Sequence, residues 1–119
     1  MKLVTKREFD IDSIKIYLHL FKLYKSYLLL ISDYEELGIG SITMATPLYI
    51  DGKPKNSKSF KLFGVENDFL NQIIAEKFSA FFNSPVLLLL FFKMVKNEQE
   101  IASSLIKAIN QILSEIKAS

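Results

Sequence analysis

The sequence has 119 residues, of which 50% are hydrophobic and 24% are charged, so we expect one globular domain over residues 1–119 rather than two. Its 15 basic and 13 acidic residues leave a net charge of only +2, which gives no reason to expect a nucleic-acid partner. The absence of cysteine excludes disulfides, thiolate metal sites and cysteine nucleophiles, and it fits a reducing, cytoplasmic compartment.

The sequence carries no recognisable targeting or membrane signal. Residues 1–10 alternate charged with apolar side chains and contain neither an apolar signal region nor a small-residue cleavage site. The longest unbroken apolar run, residues 85–92, is far shorter than the ~20 residues that a membrane helix needs. We therefore expect no membrane partner and interpret this run as a buried strand.

The first part of the chain has the period of β-strands. In residues 13–21, isoleucines and leucines alternate with polar and aromatic side chains, which predicts a strand with one core face. The second set of side chains is Lys15, Tyr17, His19 and Phe21. A weaker alternation over residues 2–9 predicts an edge strand before it, with a turn at residues 10–12.

Two further strands and two turns follow. Residues 27–32 are almost wholly apolar, residues 33–38 supply turn-forming side chains, and residues 39–50 resume an extended pattern, so we predict a β-hairpin. Pro47 predicts a bend or an edge position in the last of these strands. A cluster of glycine, proline, asparagine and two lysines in residues 51–57 predicts the most mobile loop of the molecule.

The second part of the chain has mostly the period of helices. Residues 58–63 predict a short strand that ends at Gly64, and the capping and acidic residues that follow favour a helix N-terminus. These residues are Glu66, Asn67 and Asp68. Apolar side chains at helical spacing then predict an amphipathic helix that ends near Asn83, because Ser84-Pro85 stops it.

A last strand and a last helix complete the pattern. Residues 86–93 predict the strand, and Asn97 with Glu100 resembles the capping box of a helix that continues to Ile116. The elements therefore follow the order β-β-β-β-β-α-β-α. We predict an α+β fold with a mostly antiparallel sheet of about six strands.

The apolar content of two strands bears on assembly. Residues 27–31 and 86–92 are apolar at consecutive positions, so both faces of these strands should be shielded from water. Two helices, each ~10 Å wide, cannot cover both faces of about six strands spaced ~4.8 Å apart. We predict that the helices cover one face and that a second subunit covers the other, sheet on sheet. The alternative is that the helices lie on opposite faces and the monomer is self-sufficient.

The sequence offers little catalytic or metal-binding chemistry. His19 is the only histidine and belongs to a strand set that faces either solvent or a partner, so we predict neither a metal nor a cofactor. Asp33, Glu35 and Glu36 lack the long oxygen-rich loop of a calcium site, and a solvated turn is preferred over a cation site. The Gly38-Ile39-Gly40-Ser41 stretch continues as extended chain instead of opening a helix, and no serine stands in a Gly-x-Ser-x-Gly frame. We expect no small-molecule substrate.

Four short stretches, taken in order, resemble the small proteasome assembly chaperones, the kind that act in eukaryotes as the chaperone 3 and chaperone 4 pair. Residues 27–32 with Leu37-Gly38 are similar to a strand, turn and glycine step of that family. Residues 61–70 are similar to its junction of two leucines, glycine, an acidic pair and leucine, where a strand ends and a helix begins. Residues 86–93 and the chain from Asn97 resemble its apolar strand and its C-terminal helix.

The resemblance implies a non-catalytic function, with two departures from the family pattern. A dimer, homomeric or formed with a related chain, would hold proteasome α subunits as neighbours while the seven-membered ring forms. Glu35-Glu36 stands where the family usually has Gly-Lys, so the turn is more acidic here. The sequence ends without the hydrophobic-tyrosine tail of the larger assembly chaperones, so we do not expect docking through a tail.

Loops carried on a rigid sheet are where binding residues concentrate, so we predict the partner contacts in two loops. The predicted residues are Asp33, Tyr34, Glu35, Glu36, Lys53, Lys55 and Lys58. For the lysine segment, a solvated loop is preferred over an acidic protein partner, and nucleic acid is the third alternative.

Two other classes of protein stay open. One is a dimeric roadblock or longin scaffold that regulates a small GTPase, in which a helix usually comes first or lies between the second and third strands. The other is an enzyme whose site forms at a dimer interface.

Overall fold

A computed structural model describes residues 1–50, 53–64 and 69–118. The order of the elements is the predicted one, with five strands, a helix, a strand and a helix. Their bounds are β1 Lys2–Ile11, β2 Ile14–Leu23, β3 Ser26–Ser32, β4 Ser41–Ile50, β5 Lys53–Phe63, α1 Phe69–Phe82, β6 Val86–Phe91 and α2 Glu98–Ala118. The chain is thus an α+β fold with one six-stranded sheet.

The sheet has the strand order β1-β2-β3-β6-β4-β5. Only β3 and β6 run parallel, and every other neighbouring pair is antiparallel. The predicted hairpin of β3 and β4 is wrong, because β6 lies between these two strands. Asp33 N–H donates to the Phe91 carbonyl and Gly40 N–H donates to the Leu90 carbonyl, so the connection over residues 33–40 crosses the end of β6. The central position of β6 explains its continuous apolar run.

The segment predicted as a mobile loop is largely strand. β5 begins at Lys53 and pairs with the far half of β4, from Ile50↔Lys53 onward. Ser57, within that segment, is buried at 7% exposure, and its Oγ donates to Ser79 Oγ at 2.9 Å. Proline and lysines are as typical of an edge strand as of a loop. An edge strand uses fewer backbone N–H donors than a central strand, and charged side chains protect it from pairing with other chains. Asp51 and Gly52 lie outside the described residues.

The strand ends depend on a few backbone conformations. Asp12 (φ 49°) and Ser13 (φ 70°) form the two-residue turn between β1 and β2, whereas the turn was predicted at residues 10–12. Gly64 ends β5 as predicted, since at φ 123° a Cβ there would lie 2.6 Å from the Ser41 Cβ. The pairing of β4 with β5 is irregular between Thr46 and Leu48, around Pro47, where a bend or an edge position is predicted. The predicted capping residues Glu66, Asn67 and Asp68 lie outside the described residues.

Both helices lie on one face of the sheet. α1 contacts β4, β5 and β6, and α2 contacts α1 and β1, where the Arg7 guanidinium pairs with Glu115. Asn97 caps α2 as predicted, because its Oδ1 accepts the N–H of Gln99 at 3.0 Å. The fully buried side chains between the helices and the sheet include Ile16, Leu18, Leu20, Leu29, Ile74, Phe78, Val86, Leu88, Leu105 and Ile109. The helices therefore do not lie on opposite faces, and one face of the sheet has no covering layer among the described residues.

Candidate functional site

The uncovered face of the sheet is mostly apolar at its centre. Successive side chains of a strand point to opposite faces, and burial in β2 and β6 alternates accordingly between buried and half-buried. We call the uncovered surface the open face. Its central side chains are Tyr17, His19 and Phe21 on β2, Leu28 and Leu30 on β3, Leu87 and Leu89 on β6, Ile42 and Met44 on β4, and Phe60 on β5.

The strand register aligns these side chains in two rows across the sheet. The first row is Phe21↔Leu28↔Leu87↔Met44↔Phe60. The second row is His19↔Leu30↔Leu89↔Ile42. With strands ~4.8 Å apart, the first row extends for roughly 20 Å. Directly opposite side chains on one face lie close enough to interact, so the register places the rows together as an apolar band.

Charged groups stand at the margins of this band. Lys6 lies directly opposite His19 on the edge strand β1, and Glu8 lies opposite Tyr17. At the other margin, the Lys58 ammonium lies 5.3 Å from the centre of the Phe60 ring. Burial lowers the pKa of His19 below its usual value of 6.5, Lys6 lowers it further and Glu8 raises it. The imidazole is therefore mainly neutral at neutral pH, and the centre of the open face is uncharged.

Asp33 is the first of the predicted binding residues, and its carboxylate is used within the fold. It accepts the backbone N–H of Lys93 at 2.6 Å, Met94 at 2.6 Å and Val95 at 2.7 Å. The side chain is 6% exposed, so the prediction of a solvated turn is wrong for this residue. Charge-assisted bonds of this kind are among the stronger ones in proteins. Asp33 thus fixes the connection between β6 and α2 to the end of β3.

The neighbouring predicted residues are exposed beside a shallow groove. Tyr34, Glu35 and Glu36 lie at the sheet end where β3 and β6 terminate, and the Lys93 ammonium lies 4.3 Å from the centre of the Tyr34 ring. The groove encloses about 420 Å³. It is lined by Tyr34, Glu36, Leu37, Gly38, Phe91 and Lys93. The turn therefore presents an aromatic ring and two acidic side chains to solvent.

The predicted lysines lie elsewhere. The backbones of Lys53 and Lys55 pair with Ile50 and Leu48 at the end of β4, whereas the acidic turn precedes the first residue of that strand. At ~3.3 Å per residue, the two groups are separated by roughly 25–30 Å along β4. Lys58 lies between them, opposite Thr46. The structure does not bring the two predicted loops together as one surface, and their role in binding stays a prediction.

Sequence reasoning anticipated an apolar second face but did not identify its members on β3, β4 and β6. Consecutive apolar residues in one strand indicate burial on both sides, yet they do not give the strand order. The two rows depend on β6 lying between β3 and β4, and this neighbourhood leaves no local signal in the sequence. The residues missed for this reason are Leu28, Leu30, Ile42, Met44, Leu87 and Leu89.

Two other kinds of feature are absent from the described part of the chain. Within residues 1–50, 53–64 and 69–118, no three histidine, cysteine, aspartate or glutamate side chains converge as a metal site would require. Neither helix in the described part of the chain is long and apolar enough to span a membrane.

Comparison with known proteins shows similarity at the level of the fold. No family model matches the sequence, and no curated protein matches it. The structure is similar to a chain in a crystal structure of a chaperone complex for yeast 20S proteasome assembly, with a TM-score of 0.72 and 13% identity. The match covers 98% of this chain and 95% of the yeast chain. At that identity the comparison shows the fold, so the chain shares the whole architecture of a component of that complex.

Proposed function

We propose that this chain is a non-catalytic chaperone that acts as a dimer in the cytoplasm and binds proteasome α subunits during assembly of the 20S α ring. The observation that carries the proposal is the similarity of fold to a proteasome assembly chaperone over 98% of the chain. The short stretches in residues 27–38, 61–70 and 86–93 that resemble the small assembly chaperones support it independently.

The dimer is proposed to form through the open face. The two apolar rows, half-buried or exposed in the monomer, would be covered by a second sheet packed ~10 Å away, as in a β-sandwich. An exposed apolar patch of this extent, bordered by charged residues, is typical of a protein–protein interface. The second sheet belongs to another copy of this chain or to a related chaperone chain.

The proposed mechanism is binding without turnover. A chaperone that aligns α subunits must leave once the ring is complete, so its affinity for them has to be moderate and its dissociation fast enough to permit maturation. The partner contacts that we predict are the turn with Asp33, Tyr34, Glu35 and Glu36, together with Lys53, Lys55 and Lys58. Tyr34, Glu35 and Glu36 fit such a role best, because they are exposed and do not belong to the open face.

Native mass spectrometry of the purified chain, alone and mixed with a recombinant α subunit from the same organism, tests the proposal. We expect a dimer and a defined complex with the α subunit. Leu30→Asp introduces a charge into the middle of the open face and should give a folded monomer. The matched control Ser104→Asp places the same charge on the exposed side of α2 and should leave the dimer intact.

The outcomes separate the parts of the proposal. A monomeric wild-type chain would contradict the dimer. A dimer unaffected by Leu30→Asp would place the interface elsewhere, and a dimer that ignores α subunits would contradict the chaperone function. The last result would leave a roadblock or longin scaffold as the alternative. The structure does not favour that class, because β1 and β2 precede any helix and β3 follows β2 through a short turn.

A further inference from the structure

His19 lies on the open face at the end of the second apolar row that is nearest to β1. It is the only histidine of the chain, and it lies in the second apolar row, between Lys6 on β1 and Leu30 on β3. Its ring packs edge to face against Phe21, with the ring centres 6.4 Å apart. Histidine is the side chain whose charge changes between about pH 5 and 8. A side chain of this kind therefore stands inside the surface that we propose for the dimer.

Few charged groups face the imidazole. On β1, Lys6 is directly opposite and Glu8 is one same-face position further along. On β3, the facing residues Leu28 and Leu30 are apolar and cannot titrate. On β2 itself, the same-face neighbours are Tyr17 and Phe21, and both helices pack on the other side of the sheet.

We propose that His19 makes the dimer of this chain sensitive to pH, because the neutral imidazole fits between two open faces and the protonated imidazole opposes their contact. This inference rests on the proposed dimer, with a second copy of the chain as the partner. The protonated ring would face Lys6 of its own chain and the apolar row of the other copy. Glu8 is the one described anion beside it, and it lies at the margin of the open face.

The direction of the pH effect follows from linkage. Contact with a second sheet removes further water from the imidazole, so the pKa of His19 should be lower in the dimer than in the monomer. Association then releases protons, and the dimer is strongest above the monomer pKa and weakens as the pH falls through it. One unit of pKa difference changes the dissociation constant up to about tenfold for each histidine, or about a hundredfold for the two in a homodimer.

Sedimentation velocity at constant ionic strength gives the dissociation constant at about pH 7.5, 6.5 and 5.5. For the wild-type chain we expect the constant to rise by about ten- to a hundredfold over this range. His19→Gln keeps a polar, neutral side chain and should dimerise with a constant that changes less than about threefold over the same range. The control His19→Gln/Ser104→His moves the histidine to the exposed side of α2 and should be equally insensitive to pH.

A second measurement observes the histidine directly. Because the chain has one histidine, its imidazole resonance in an NMR titration needs no assignment. The titration midpoint should be lower at protein concentrations well above the dissociation constant than well below it. A dimer with a constant independent of pH, or His19→Gln with the wild-type dependence, would overturn the inference and leave the dimer standing. A chain that remains monomeric at every pH would overturn the dimer and this inference together.

Discussion

The two faces of the sheet have similar composition and different cover. On the covered face, alternate residues such as Leu18, Leu29 and Leu88 are completely buried beneath α1 and α2. On the open face, their neighbours Leu30 and Leu87 are equally apolar and yet remain half-buried. An antiparallel sheet with one solvated face usually carries polar residues there. The difference indicates that each central strand is adapted to two layers, of which the described residues supply one. In the dimer that we propose, a second subunit supplies the other.

The largest expected difference between the faces is in stability. Phe78→Ala removes a ring that is 0% exposed between α1 and the sheet, and it should lower the free energy of unfolding by about 3–5 kcal/mol. Phe21→Ala removes a phenyl ring from the open face, where it is half-buried in the monomer, and should lower the free energy of unfolding by about 1 kcal/mol or less. Urea denaturation at a concentration where the chain is monomeric measures both. Equal losses would contradict the distinction between the faces.

A smaller effect is expected at the end of the sheet, where the Asp33 carboxylate holds the connection between β6 and α2 against the end of β3. Asp33→Ala leaves three backbone N–H groups without their carboxylate and should lower the free energy of unfolding by about 2–3 kcal/mol. The control Glu35→Ala, in the same turn but exposed, should change it by less than about 0.5 kcal/mol. Thermal unfolding of the two variants side by side measures the difference. A loss at Glu35 as large as that at Asp33 would show that the turn, not the carboxylate, carries the stability.

The smallest effect is expected at the border of the covered face. Arg7 pairs with Glu115 between β1 and α2, but both side chains are partly exposed, at 36% and 46%. Arg7→Met should therefore lower the free energy of unfolding by only about 0.5 kcal/mol. The difference from the wild-type chain should shrink at about 1 M NaCl, because salt screens exposed pairs. A loss of several kcal/mol that persists at high salt would mean that packing of the arginine stem dominates.

Patterns within one element predicted most of the fold. The alternation in β2 predicted its buried side, and the helical spacing predicted α1 and α2, with the end of α1 near Asn83 and the cap of α2 at Asn97. Each of these features depends on residues within a few positions of one another. The consecutive apolar residues in 27–31 and 86–92 also predicted that the sheet face left open by the helices would be apolar.

Interactions between distant parts of the chain could not be predicted. The carboxylate of Asp33 binds the backbone some 60 positions later, and nothing in the sequence of the turn indicates this. The hairpin prediction failed because a turn signal does not reveal whether a later strand will come between its two arms. The lysine segment was assigned to a loop because its composition suits a loop and an edge strand equally. The alignment of the open face into rows required the strand register.

The position of β6 between β3 and β4 has a consequence for the order in which the molecule can fold. β1 to β3 form one antiparallel unit from neighbouring segments, and β4 with β5 forms another, so each unit can pair its strands locally. Within the sheet, the two units are joined through Val86–Phe91, which follows α1 in the sequence. Until the ribosome has released that strand, the inner edges of β3 and β4 have no partner and are open to pairing with other chains. The strand that unites the sheet is thus the last one to be synthesised.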